Sequence, residues 1–292
     1  MPQVVEPSRT NEALAALISH PAADANKYTR GHLYLVAGSA AYPGAACLSA
    51  AGAQRAGAGY TEVFCAGKSM ITVRASAPSA VVRDWKTWHP SRLEAPKPGH
   101  PVACAIGCGF DPADGAFAPL LMETLRAFPG PVLVDGGALA LLASDTGRHL
   151  AAKRADEGRG LVLTPHGGEA ARLAQAAGLG EADAPERAAE LARAYHAVVA
   201  LKGPDTYIAS PDGTVELMDR GTAALAKAGT GDVLAGIVGA LLAQGLAPRD
   251  AAALGCALHA EAGRAAASDL TDISVIAEDI PRYLPEAIKA LS

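Results

Sequence analysis

Six short and almost wholly apolar runs recur along the chain, each bounded by Gly or Pro: 32–38 (HLYLVAG), 61–66, 102–107, 131–135, 161–165 and 198–203. A strand with one wet face alternates apolar and polar residues, whereas an uninterrupted apolar strand needs cover on both faces. The runs are separated by segments of helical pattern, and that alternation predicts βαβ units and a mainly parallel sheet. Residues 206–213 and 215–219 read differently, as a hairpin turning at Pro211-Asp212-Gly213, so an antiparallel edge is expected. The fold class that follows is a three-layer α/β arrangement, a central sheet with helices on both faces.

Helices are predicted over 44–57, 114–127, 137–151, 168–176, 184–196, 230–244, 248–268 and 275–290. Residues 84–101, rich in Pro and charge, are expected to form an exposed loop, and about the first 30 residues an N-terminal extension or helix. No internal repeat or shift of composition divides the chain, so a single domain over 1–292 is expected. Half of the residues are apolar, which suits a packed core and not a disordered chain. A formal charge of −5 with no Lys/Arg stripe argues against nucleic-acid binding. No basic start precedes an apolar run and no stretch approaches a membrane span, so a cytoplasmic location without a membrane partner is expected. The five scattered cysteines form no C-x-x-C pair and read as buried free thiols, with Cys104 and Cys108 on one buried strand.

Ligands of parallel α/β sheets bind beyond the carboxyl ends of the strands. Glycine-rich loops follow five of the predicted strands: 38–45, 107–109, 135–137, 166–169 and 202–206. The P-loop, the Rossmann fingerprint and the G-x-S-x-G elbow are all missing. The best phosphate cradle is Gly229-Thr230-Gly231, where the first N–H groups of a predicted helix lack intrahelical partners. Thr230 is expected to supply a capping hydroxyl. Asp232 then either interacts with its own helix start or accepts the proton of a substrate hydroxyl attacking a phosphoryl group. His166 reads as hydrogen-bonded scaffold or as a site residue, Glu169 as a first-turn acid, Asp135 as a ligand or a loop anchor. Lys202 either meets phosphates or snorkels from a strand end.

The segments RGHLYLVAGSAAYPGAACLSAAGAQRAGAGYTEV, AIGCGF, VLVDGGAL, LTPHGGEAARL, ALKGPDTYIASPDG and ALAKAGTGDVLAGIVGALLAQG, taken in order, resemble the ADP/ATP-dependent NAD(P)H-hydrate dehydratases of the ribokinase-like superfamily. The resemblance implies a ribokinase-like fold and a repair reaction. The S-epimer of NADH or NADPH hydrate (NADHX, NADPHX) is phosphorylated on its ring hydroxyl from ADP or ATP, and phosphate then leaves to restore NAD(P)H. Carried over, Asp232 is the base, and Gly229, Thr230 and Gly231 hold the transferred phosphate. Ala45, Gly109, His166 and Asp232 contact the hydrate, while Lys202, Gly203, Pro204, Asp205, Thr206 and Gly231 bind the nucleotide. Glu169 stands where related kinases place an acid that organises Mg²⁺ through water. The family also implies a homo-oligomer, with a tetramer favoured, and the superfamily a K⁺ near the phosphate turn.

The chain departs from the pattern at Gly167 and Cys108, both usually proline, and at Ala228, usually glycine. None of the three removes a polar catalytic group. The epimerase domain fused to this enzyme in some bacteria is not expected, with only about 30 residues before the first strand. Two other readings share the phosphate turn: a kinase that keeps its phosphorylated product, such as a vitamin-precursor kinase, and an inactive nucleotide-binding relative.

Overall fold

The computed structural model describes residues 3–93 and 96–291. Ten strands form one sheet: β1 (Val5–Glu6), β2 (His32–Val36), β3 (Tyr60–Cys65), β4 (Val81–Asp84), β5 (Val102–Ile106), β6 (Val132–Val134), β7 (Leu161–Leu163), β8 (Val198–Leu201), β9 (Thr206–Ala209) and β10 (Val215–Met218). Their order is β1-β10-β9-β8-β7-β6-β5-β2-β3-β4. All neighbours are parallel except β8–β9 and β9–β10, so the expected hairpin is present. It does not end the sheet, because Val5 and Glu6 add a short parallel strand outside β10. The supposed N-terminal extension is therefore sheet-bound, and it continues into a short helix, α1 (Asn11–Ala15), capped by the Thr10 side chain.

The remaining helices are α2 (Pro43–Arg55), α3 (Met70–Ser76), α4 (Phe117–Ala127), α5 (Gly137–Leu142), α6 (Asp145–Asp156), α7 (Gly167–Ala176), α8 (Ala184–Ala194), α9 (Thr230–Ala243), α10 (Pro248–Leu270) and α11 (Ile280–Leu291). Period-two side-chain alternation sends Leu33, Leu35, Ala103 and Ala105 into one core, with α2, α9 and α10. It sends Val36, Cys104, Ile106 and Val134 into the other, with α4, α5 and α8. Burial on both faces explains why the central strands β5–β8 carry no polar residue. Nearly every residue of α9 is buried, as expected of a helix with neighbours all round.

Three expectations need correction. The predicted helix 137–151 is two helices, because Ser144 is extended and its hydroxyl caps α6 through the Gly147 N–H. The segment 84–101 is not simply an exposed loop: Trp88 is 2% exposed, packs against Phe64 and Phe128, and donates its indole N–H to Thr124. Residues 94 and 95 of that segment lie outside the described residues. Cys108 lies beyond the end of β5, in the loop that follows it.

Candidate active site

The loops that follow β2, β5, β6, β7 and β8 are laced together at the carboxyl edge of the sheet. Gly38 N–H donates to Cys108 O, Ser39 to Gly109 O, Asp135 to Ile106 O and Lys202 to Pro165 O. Gly109 has φ +73°, and a Cβ there would lie 2.7 Å from Ala45 Cβ and 2.9 Å from Tyr42 O. Only glycine permits that backbone and that approach, and the result seats Ala45 directly against Gly109.

Helix α9 starts at this edge. Its N-cap is Gly229, at φ +92°, with no side-chain cap. Thr230 is therefore not the capping residue expected. Its hydroxyl turns back to the carbonyls of Leu225 (2.8 Å) and Lys227 (2.9 Å). That leaves the N–H groups of Gly231 and Asp232 without an acceptor among the described residues. Open amides at the positive end of a 14-residue helix are a ready anion site.

Beside the turn stands a cluster of charge. Lys202 Nζ donates to Asp135 Oδ1 at 3.0 Å, and the Cys108 thiol lies 3.8 Å from Asp135 Oδ2. A Cβ at Gly231 would be 3.4 Å from Lys202 Nζ and 4.0 Å from Asp135 Oδ2, so the pair backs onto the turn. Burial, then the Asp135 charge, pushes the Asp232 carboxyl up to about 6, against the opposing pull of Lys202. Burial alone would lower the Lys202 ammonium, but Asp135 and Glu169 offset it and hold it above its ordinary value. The Cys108 thiol is pushed well up by burial, then by Asp232 and Asp135, so it stands as a neutral thiol between two carboxylates.

A cavity of about 750 Å³ opens on one side of the turn. His166, Lys202, Gly203, Pro204, Thr206, Thr230 and Gly231 all line it, whereas Asp205, Ala45 and Gly109 do not. Seven of the sequence-predicted site residues thus line the cavity, Ala45 and Gly109 lie against each other outside it, and Asp205, Glu169, Gly229 and Asp232 are not among its lining residues. His166 N-caps α7, its Nδ1 accepting from the Gly168 N–H at 3.0 Å. Glu169 closes a capping box by accepting from the His166 N–H at 2.9 Å. The missing proline at 167 therefore leaves this turn ordered by side chains.

Sequence reasoning passed over His259 of α10, which lines the same cavity. Burial lowers its imidazole to about 4, so it is neutral beside the Thr230 backbone, and its Nε2 has no hydrogen-bond partner among the described residues. The one available signal was a histidine inside the apolar helical run GCALHAEAG.

The sheet and its flanking helices have the ribokinase-like fold: the chain superposes with a TM-score of 0.80 on a ribokinase-like superfamily protein from Enterococcus faecalis, at 23% identity and over 99% of this chain and 96% of that one. The model of the NAD(P)H-hydrate dehydratase family matches residues 33–286, and the chain belongs to that family. It is 35% identical to the ADP-dependent (S)-NAD(P)H-hydrate dehydratase of Neisseria meningitidis, over 82% of this chain and 79% of that one. It is 38% identical to the bifunctional NAD(P)H-hydrate repair enzyme of Moorella thermoacetica, over 92% of this chain but only 51% of the relative. The chain thus spans about half the length of that bifunctional protein. The crystal structure of the ADP/ATP-dependent NAD(P)H-hydrate dehydratase from Bacillus subtilis, co-crystallized with ATP/Mg²⁺, superposes with a TM-score of 0.82 at 29% identity, covering 98% of this chain and 99% of that one.

Proposed function

We propose that this protein restores NADH and NADPH from the S-epimer of their hydrates, with ADP or ATP as phosphoryl donor. The observation that carries the reading is Asp232, a carboxyl raised to about 6, one residue beyond the open amide of Gly231. In this account the terminal phosphoryl group of the nucleotide rests on the N–H groups of Gly231 and Asp232. Lys202, Gly203, Pro204 and Thr206 line the cavity for the rest of it, with Asp205 in the same loop. The hydrate lies over Ala45 and Gly109, reaching towards His166. Asp232 accepts the proton of the ring hydroxyl while its oxygen attacks phosphorus and the shorter nucleotide departs. The ring-nitrogen lone pair then expels phosphate as the C–O bond breaks, and loss of a proton from the neighbouring ring carbon restores the double bond. Hydroxide is a poor leaving group and phosphate a good one, which is what the phosphorylation supplies.

Asp232 near neutrality suits this task, being ionised at physiological pH yet basic enough to take a proton. The residues do not form a resident Mg²⁺ site: among the described residues no three His, Cys, Asp or Glu side chains group to hold a metal. Glu169 is engaged in its capping box. Mg²⁺ belongs in this reading to the phosphates of the nucleotide, with Glu169 reached only through water, and no step is routed through it. A cytoplasmic homo-oligomer, a tetramer, completes the reading; no helix among the described residues is long and apolar enough to cross a membrane.

The test is incubation of the purified protein with NADH hydrate and either nucleotide, with and without K⁺. The expected result is one phosphate released per dihydronicotinamide regenerated. A phosphorylated product that accumulates without phosphate release would mark a kinase instead.

A further inference from the structure

One wall of the cavity is the segment 221–227, which contributes Gly221, Thr222, Leu225 and Lys227 to its lining. At its far end this wall meets the anion turn, because the Thr230 hydroxyl is bound to the carbonyls of Leu225 and Lys227. At its near end stands Arg220, whose side chain is 16% exposed. Its Nη1 donates to Asn11 Oδ1 at 2.7 Å and to Glu261 Oε1 at 3.2 Å, and its Nη2 donates to the Arg9 carbonyl at 3.0 Å. The N-terminal segment that receives these bonds is itself tied down. Ser8 Oγ lies 2.8 Å from Leu217 O and 2.6 Å from Asp219 Oδ1, and Arg9 bridges the buried Glu216 (3.1 Å) and Asp250 (2.7 Å). The next residue, Gly221, packs so closely on the nucleotide loop that a Cβ there would lie 2.5 Å from Pro204 O.

We propose that Arg220 is a positioning residue for nucleotide binding, through which the N-terminal segment 8–11 holds the 221–227 wall against the cavity. The proposal rests on the nucleotide reading given above. The guanidinium spans three elements at once, the N-terminal segment, the end of the hairpin and α10, and a planar fork with several donors is what such a junction needs. The middle and far end of the wall are anchored by the fully buried Ala224, by Leu225 packed on Gly263 of α10 and by Lys227 Nζ bonded to Ile273 O, so losing Arg220 loosens the wall at its Gly221 end. The wall then samples conformations that do not match the ligand, and binding weakens because the competent state is less populated.

The test compares wild type, Arg220→Ala, Arg220→Lys and Asn11→Ala, each as the full chain. ADP affinity is measured by calorimetry, and hydrogen exchange is followed at the amides of 221–231. Arg220→Ala is expected to weaken ADP binding about tenfold and to speed exchange in the wall, with Arg220→Lys recovering part of both. Asn11→Ala removes one exposed partner only, and is expected to weaken ADP binding about two- to threefold even if Arg220→Ala fails to fold. A lost staple that served folding alone would lower the melting temperature but leave affinity and wall exchange unchanged in the folded variants. That outcome overturns the proposal while leaving the nucleotide reading in place. A wild-type protein that binds no adenine nucleotide overturns both.

Discussion

Lys202 and Asp135, 67 residues apart in sequence, meet at 3.0 Å directly behind Gly231, so the charge that borders the anion turn is a paired one. The pair sets the electrostatics of Asp232 from both sides, the carboxylate raising its pKa and the ammonium lowering it. The net upward shift depends on burial first and on Asp135 second.

Asp135→Asn should therefore move the acid limb of the kcat/KM profile to lower pH, since the charge that opposes ionisation of Asp232 is gone. The variant also leaves the Lys202 ammonium without its anionic partner, with an expected stability loss of about 1–3 kcal/mol. A pH–rate profile together with a denaturation curve checks both parts. An acid limb that stays in place would show that Asp135 does not act on the titrating group.

Asp232→Asn should make the protein more stable at neutral pH. The Asp232 carboxyl rises from 3.8 to about 6 on folding, so across that window the native state holds more proton than the unfolded chain. Stability consequently falls as pH rises through the window and stays lower above it. Removing the charge recovers on the order of 1–2 kcal/mol at pH 7–8, allowing for partial exposure, and nothing near pH 4. Denaturant titrations at the two pH values measure it; an equal effect at both would contradict the raised pKa.

Gly231 and Gly229 should respond oppositely to alanine. At Gly231 the new methyl makes only ordinary contacts at 3.4 Å and beyond, so the fold tolerates it, but it projects beside Lys202 where the phosphate is placed. Nucleotide affinity should drop about ten- to a hundredfold with little change in melting temperature. At Gly229, φ is +92° and a Cβ would lie 2.6 Å from Leu48 Cδ1, so Gly229→Ala should cost about 1–3 kcal/mol of stability. Calorimetry and thermal melts on the two variants separate the effects.

Trp88→Ala should destabilise the protein by about 3–5 kcal/mol, the range for emptying a buried aromatic site. It would also orphan the Thr124 hydroxyl as an acceptor. A loss near zero in a chemical denaturation curve would return the 84–101 segment to a surface loop.

How far the sequence could be read follows from how local each feature is. The central strands β5–β8 announced themselves, because both of their faces are covered and they carry only apolar residues, and so did the hairpin at Pro211-Asp212-Gly213. Strand β4 was missed: Val-Val-Arg-Asp at a sheet edge is short, and Arg83 reaches out to pair with Glu62 of β3. Thr230 was misread because a threonine before an apolar helix usually caps it, whereas here Gly229 takes that position in a left-handed conformation. The start of α9, with its open amides at Gly231 and Asp232, was legible from one contiguous motif. The Lys202–Asp135 pair and the burial of His259 were not, since both arise only when distant segments close over one cavity.

The central claim is that Asp232 transfers a proton so that phosphate can be attached and then lost. It is tested most directly by following the recovery of dihydronicotinamide absorbance from NADH hydrate, with ADP and with ATP, in wild type and in Asp232→Asn. The account predicts recovery by the wild type, and a loss of about 10²–10⁴-fold in a variant that still folds and binds nucleotide. Equal rates in the two proteins, or no recovery by the wild type with either nucleotide, would contradict it.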